Sequence, residues 1–576
     1  MADRGNRKQP GSGAAADEVE DDVAAQAAEQ ALGPNPFIGL RATDILATVG
    51  EIATQAFTAP ALLLKQQAAL VGDIVSILAG NTTIVPERGD KRFGDPAWAD
   101  NPFYRIYLQT YLAWTKALGG FVDNSALDRL AKQRARFVIS LFTDALAPTN
   151  TLLGNPAALK KAIDSGGGSL RGGLKNLLTD FAENHGMPAQ VDMNAFQVGK
   201  NLVLSPGAVV FRNEVLEIIQ YAPATPEVYA RPQVIIPPQI NKYYIFDLAP
   251  GKSIVEYLVQ NGFQVFMVSW RNPTPAQSNW DMDTYVAALL EAINAVREIT
   301  GAENVNLHGA CSGGITLAAL LGYLAAKREK MVNAVTMMVM VAVLDSDTDS
   351  VLALFATPAT IDAAKLNSRR KGVLEGEEMA RVFSWMRPND LVWNYWVNNY
   401  LLGNSPPAFD ILYWNNDTTR LPARFHAQLL DIFADRLLQQ RGSVRILGAP
   451  IDLSKVDCDK YVLSGITDHI TPWKGVFGTA RLFGGATEFV LSSSGHIQSL
   501  VNPPGNPKAK FFRGSELTSD PDDWLAAAEQ VPGSWWEHWR KWIATRSGEM
   551  RPAPTGLGSE RHKPGVRAPG RYVFDK

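Results

Sequence analysis

Apolar positions along this chain change their period near residue 200. Before it, Ile45, Val49, Ile52, Ala53 and Phe57 stand three to four apart, which predicts a helix ending ahead of Pro60; Leu62, Leu63, Leu70, Ile74 and Ile77 continue the spacing beyond that proline. From about 201 short apolar runs take over. Runs 209–211 and 215–219 flank a short turn and predict an opening hairpin. Runs 234–236, 265–269 and 304–308 predict strands, separated by helical patterns at 253–261 and 284–299. The apolar run 334–344 predicts a further buried strand, as do 461–465 and 488–492. Strands and helices that alternate in this way build a mostly parallel sheet covered on both faces.

These changes of pattern divide the chain. Residues 1–35, rich in Ala, Gly and acidic side chains, are expected to be a flexible leader. Residues 36–200 read as a helical N-terminal domain, and 201–576 as an α/β catalytic domain. An α/β core needs only a short link between the strand ending near 344 and the one starting at 461, so 345–455 is read as an inserted cap or lid. Trp385, Trp393, Tyr395, Trp396, Tyr400, Tyr413 and Trp414 crowd that insertion. Most of them suit packing of the cap on the core; Trp414 is the first candidate to face a substrate channel.

The chemistry concentrates at Gly309-Ala310-Cys311-Ser312-Gly313. A strand precedes this stretch and a small-residue helix follows it, the context of a nucleophile elbow, here with cysteine in the nucleophile's place. A cysteine nucleophile needs a base and the base an orienting acid. The α/β-hydrolase fold supplies them in the order nucleophile, acid, histidine. Asp468 follows the run 461–465, and His496 follows 488–492, so both stand past the carboxyl ends of strands, where ligands of parallel sheets bind. Asp345 competes for the acid from an earlier strand end, and His469 beside Asp468 is read as a local hydrogen-bonding neighbour of the site that joins Trp414 as a candidate for the substrate channel or lid. His308 reads as a strand-end residue with its ring packed or tied to a carbonyl, and Cys458 as structural. Oxyanion donors are expected from the backbone N–H of Ser312 and from the loop after 234–236, at Gln239 or Ile240.

The segments GACSGG (309–314), PPQINKYYIFDL (237–248), SWRNPT (269–274), MRPNDLVWNYWVNNYLLGN (386–404), FDILYWNNDTTRLPARFH (409–426), GITDHITPW (465–473) and SGHIQSLVNPPGNPKA (494–509) resemble the poly(3-hydroxyalkanoate) synthases, most closely the class II enzymes that take medium-chain monomers. RFGDPAW (92–98) and APTNTLLGNPAA (147–158) extend the resemblance, which covers roughly 30–576. Carried over by position, it implies Cys311 as nucleophile, Asp468 as acid and His496 as base. It implies (R)-3-hydroxyacyl-coenzyme A as substrate and a growing polyester as product. No cofactor is implied, since coenzyme A is part of the substrate and is released. The resemblance further implies a homodimer in the cytoplasm at the granule surface, with granule-associated proteins as partners. Whether His496 or Asp468 activates the 3-hydroxyl stays open. A thioesterase or esterase on the same scaffold, a short-chain preference and a non-catalytic granule coat are the alternatives.

Composition adjusts this picture in a few places. A hydrophobic content of 46% fills a sizeable core, and a net charge of −3 gives no reason to expect nucleic acid as a partner. Two cysteines in 576 residues suit a reducing compartment. The polar N-terminus lacks the apolar stretch of a signal peptide, and no unbroken apolar run is long enough for a membrane span. The helical region around 45–78 fits either a brace for the catalytic domain or an amphipathic element lying on the polymer. Arg271 is a candidate for coenzyme A phosphate or for structural pairing. The basic stretch 551–576 reads as a solvated strap.

Overall fold

The computed structural model describes residues 42–87, 90–343, 356–379, 388–468, 470–514 and 516–576. The expected leader, and the candidates Asp345, Trp385 and His469, lie outside the described residues.

Up to residue 183 the described residues form helices and the loops that join them. The first two, α1 (Ala42–Thr58) and α2 (Pro60–Leu78), break at Pro60, which stands at the first position of α2 where its missing N–H costs nothing. α3 (Pro102–Asp123) starts at Asn101, whose side chain accepts from Phe103 N–H, and α4 (Arg129–Ala145) at Asp128, which accepts from Ala131 N–H. α2 is 19 residues long, apolar enough by length and composition to cross a membrane, and largely exposed. Lys65, Gln66, Gln67 and Asp73 interrupt it, which is why no unbroken apolar run shows in the sequence.

From residue 207 the chain builds a ten-stranded sheet: β1 (Gly207–Arg212), β2 (Leu216–Tyr221), β3 (Gln233–Ile236), β4 (Val265–Trp270), β5 (Val305–Ala310), β6 (Val332–Met338), β7 (Asp459–Gly465), β8 (Thr487–Ser492), β9 (Lys510–Arg513) and β10 (Glu529–Pro532). Its spatial order is β1-β2-β4-β3-β5-β6-β7-β8-β9-β10. The run β4-β3-β5-β6-β7-β8 is parallel throughout, while β1, β2, β9 and β10 pair antiparallel at the two sides. β2, β3, β4 and β5 are buried at every position, as expected of strands covered on both faces. With the helices between them this is the α/β-hydrolase architecture.

One expectation is corrected here and another extended. The apolar run 334–344 is a strand only as far as Met338: Val339 turns to a left-handed φ of 45°, and Met340–Val343 continue as a buried loop. That loop is held by Thr479, whose hydroxyl accepts from Ala342 and Val343 N–H at 2.8 and 3.1 Å. Apolarity there serves burial beneath the site, a demand that strand and loop share. The stretch 551–576 is a surface strap, as expected, with most of its residues exposed or half-buried, but its main chain also serves two buried charges. The fully buried Glu217 carboxylate accepts from Arg571 and Tyr572 N–H at 2.9 and 3.1 Å and pairs with Arg212. Lys242, also buried, donates to the Asp575 carbonyl at 2.6 Å. Buried charges need such partners, and the strap supplies them.

Candidate active site

β5 ends at Ala310, and Cys311 opens the next helix, α5 (Cys311–Lys327), with a left-handed φ of 48°. A side chain held in that region is strained, and the tight turn presents it beyond the sheet's edge. Two glycines make the turn feasible. A Cβ on Gly313 would lie 2.4 Å from the Pro237 carbonyl oxygen, and one on Gly314 2.6 Å from Met340 Cγ. The helix therefore seats directly on the loop after β3.

Asp468 and His496 follow the ends of β7 and β8, which are hydrogen-bonded neighbours. Gly465 lets their loops meet, since a Cβ there would lie 2.5 Å from the Ser494 carbonyl oxygen. Ile466 N–H donates to Ser492 O at 2.8 Å and fastens one loop to the other. Asp468 Oδ1 accepts from the N–H groups of Ile470 and Thr471, both at 2.9 Å, and Oδ2 from the Thr471 hydroxyl at 2.8 Å. His496 Nδ1 donates to the same Oδ2 at 2.7 Å. Cys311 acts electrostatically on the same imidazole, and with Nδ1 on Asp468 the ring nitrogen left to meet its sulfur is Nε2. The structure thus brings Cys311, His496 and Asp468 into one chain. Asp468 and His496 are buried and Cys311 is half-buried.

Burial alone would depress the imidazole's pKa, but the Asp468 charge and hydrogen bond, helped by Cys311, push it up to about 10. Burial likewise opposes the Asp468 charge, and His496 with the Thr471 donors still hold that carboxyl below its ordinary range. A histidine on this footing is well placed to carry a proton beside a sulfur.

The loop after β3 approaches from the other side. Ser312 N–H belongs to the first turn of α5 and has no acceptor within the helix. Gln239 N–H donates to Ser312 Oγ at 3.1 Å, which takes it out of the expected oxyanion donors and leaves Ile240 from that loop. The loop is braced by the cap: Thr419 Oγ1 donates to Gln239 O at 2.5 Å, Thr419 N–H to Ile240 O at 3.3 Å, and Trp414 Nε1 to Lys242 O at 2.7 Å. Trp414 is 2% exposed, so its indole fastens the cap to this loop, and its N–H is not free for substrate. Thr419 lies within the quoted segment 409–426 but is no site candidate by sequence; its role comes from a fold-level contact across 180 positions.

A family model described as the N-terminus of poly-beta-hydroxybutyrate polymerase (PhaC) matches residues 89–258, and one described as the alpha/beta hydrolase fold matches residues 232–503. Poly(3-hydroxyalkanoate) polymerase 1 of Ectopseudomonas oleovorans is 52% identical over 556 residues, 96% of this chain and 99% of its own. The chain belongs to the poly(3-hydroxyalkanoate) polymerases. Polymerase 2 of the same organism is 50% identical, covering 94% of this chain and 96% of its own. The PhaC polymerase subunit of Cupriavidus necator is 39% identical, covering 84% and 83%. The polymerase is accordingly an acyltransferase that polymerises hydroxyalkanoates.

Other sequence candidates find structural places in the polymerase. His308 Nε2 lies 3.0 Å from Gln233 Oε1, and burial takes its pKa down to about 3. Burial raises the Cys458 thiol to about 11, far from reactive. Arg271 lies over the Tyr572 ring, 5.8 Å from its centroid. Among the described residues no cluster of His, Cys, Asp and Glu could hold a metal ion.

Proposed function

We propose that this polymerase builds its polyester through a thioester on Cys311. His496 Nε2 takes the thiol proton, and the Cys311 sulfur attacks the carbonyl of an (R)-3-hydroxyacyl-coenzyme A. Coenzyme A thiolate leaves and takes that proton from His496. His496 then takes the proton of the 3-hydroxyl of another acyl group, whose oxygen attacks the Cys311 thioester and forms an oxoester, and the released Cys311 sulfur takes that proton back. Transfer between thioesters is nearly balanced, so the bond energy is kept for the ester-forming step. Ser312 N–H and Ile240 N–H are the proposed oxyanion donors, each contributing about 3 kcal/mol to the transition state.

The observation that carries this reading is the Asp468–His496–Cys311 chain assembled at the carboxyl ends of three parallel strands. The cap fastened over the β3 loop supports polymerisation over hydrolysis, since an acyl-enzyme shielded from water survives until a hydroxyl arrives. The described residues of the expected 36–200 part act as a helical domain, and those of the expected 345–455 insertion as the lid of the catalytic domain. Preference for medium-chain monomers rests on the likeness of the quoted segments to class II enzymes. The exposed apolar side chains of α2, Leu64, Val71 and Val75, suit contact with the polyester, placing the enzyme at granule surfaces in the cytoplasm as a homodimer that needs no cofactor.

Purified enzyme with 3-hydroxyoctanoyl-coenzyme A tests the reading. Released thiol together with polymer supports it. Thiol with free acid would make the protein a thioesterase, and absence of thiol would remove the catalytic role.

A further inference from the structure

Asp468 Oδ2 is shared. His496 Nδ1 stands 2.7 Å from it and Thr471 Oγ1 2.8 Å, while the two donors are 3.3 Å from each other. Three polar atoms close a triangle around one carboxylate oxygen. A hydroxyl has a single proton, and the shorter contact sends it to Oδ2. The Thr471 oxygen can then only accept from Nδ1–H, so both neighbours of Nδ1 require it to carry hydrogen. That fixes the tautomer and leaves the Nε2 lone pair for Cys311.

Thr471 has little freedom to do otherwise. Its own N–H donates to Asp468 Oδ1 at 2.9 Å, as does that of Ile470, so the backbone wraps the carboxylate and carries the hydroxyl to the second oxygen. The residue is 4% exposed, and being β-branched it has few χ1 choices. The described charged or titratable groups that act on His496 are Asp468 and Cys311, and the hydroxyl is the neutral third partner.

We propose that Thr471 is a positioning residue of the polymerase: its hydroxyl shares Asp468 Oδ2 with His496 Nδ1–H and so sets how firmly the imidazole holds its proton. The inference rests on the triad reading above. In that cycle one imidazole takes the Cys311 proton, gives it to the departing coenzyme A thiolate, and then takes the proton of a 3-hydroxyl. A carboxylate oxygen devoted to the imidazolium alone would hold the proton too firmly for the second transfer. A donated hydroxyl proton at 2.8 Å draws charge from that oxygen and loosens the hold, outweighing the longer 3.3 Å contact through which the Thr471 oxygen accepts from Nδ1–H.

Thr471→Val keeps the shape and removes the hydroxyl; Thr471→Ser keeps the hydroxyl; Thr471→Ala repeats the test should valine disturb the fold. Two readouts run across pH: kcat/KM for thiol release from 3-hydroxyoctanoyl-coenzyme A, and the rate of Cys311 alkylation by iodoacetamide without substrate. The limb governed by His496 should move upward by about half a pH unit or more in the valine and alanine variants. It should stay near the parental position with serine. A folded valine or alanine variant with the parental profile would overturn the proposal, as would a serine variant that shifts equally. Loss of activity in His496→Gln, measured alongside, separates the two claims. If that variant stays active the triad reading fails, and if it is dead while the valine profile is unmoved only the role of Thr471 fails.

Discussion

Trp414 donates its indole N–H to the main-chain carbonyl of Lys242 at 2.7 Å, tying the cap to the loop that carries Ile240. Trp414→Phe keeps most of the packing and removes this hydrogen bond, at a cost of about 1 kcal/mol. The loop would then hold Ile240 N–H less firmly, and the cap would seal less well against water. The expected outcome is a several-fold lower polymerisation rate with a larger share of acyl groups released as free acid. Chromatography of the products after complete turnover checks it; unchanged partitioning would show that this tie does not guard the acyl-enzyme.

The elbow glycine makes a sharper prediction. Gly313→Ala places a Cβ 2.4 Å from Pro237 O and 2.6 Å from Ile236 O, both main-chain atoms that cannot swing aside. Either the β3 loop or α5 must move, so a loss of roughly 3 kcal/mol or more of stability is expected, with near-complete loss of polymerisation. Gly50→Ala, in the interior of α1 with nothing within 4 Å, should instead add about 0.5–1 kcal/mol. Paired denaturant titrations read both.

His496 also makes stability depend on pH. Its folded pKa, about 10, lies above the ordinary 6.5. The proton is therefore held more tightly in the folded state. The stabilisation is complete below about pH 6.5 and is lost as pH rises through 10. Asp468, lowered from 3.8, acts at the other end, its contribution being lost only as pH falls below that value. Unfolding free energies between pH 6.5 and 10 should fall more steeply for the parental enzyme than for His496→Gln. Parallel curves would mean that the folded imidazole gains nothing from its partners.

The strap at the end of the chain supports the same loop. Removal of residues 571–576 strips the Lys242 ammonium of the Asp575 carbonyl, and Glu217 of two N–H donors. Buried charges left so exposed to desolvation cost about 3–5 kcal/mol, and the truncated enzyme should melt well below the parent. A melting temperature within a degree or two of the parental value would show that water replaces the strap.

Much of the site was legible in the sequence because its signals are local. The elbow needs glycines at fixed offsets around Cys311, and the acid and base each follow a strand that ends in glycine or serine. The strand alternation from 207 onward follows the same logic, since full burial leaves an apolar run that periodicity detects. What escaped depends on contacts distant in sequence. The apolar run past Met338 could not announce that Val339 leaves the strand, because burial is required on either path. Gln239 and Ile240 are equivalent by position, and only the Ser312 hydroxyl, 73 residues away, occupies the one amide. The basic letters at 551–576 suggested a surface strap, and its side chains are largely exposed, but they could not announce that its main chain satisfies Glu217 and Lys242. Thr471 lies within a recognised segment, yet its hydroxyl gains meaning only once Asp468 and His496 are adjacent.

The central claim is a covalent one, and rapid-quench mass spectrometry tests it most directly. Enzyme mixed with 3-hydroxyoctanoyl-coenzyme A, quenched in acid and digested, should yield the peptide containing Cys311 enlarged by hydroxyacyl units and sensitive to hydroxylamine, with no such species from Cys311→Ala. Polymer formed by an enzyme whose acyl groups are found on another residue, or by the Cys311→Ala variant at the parental rate, would contradict the account.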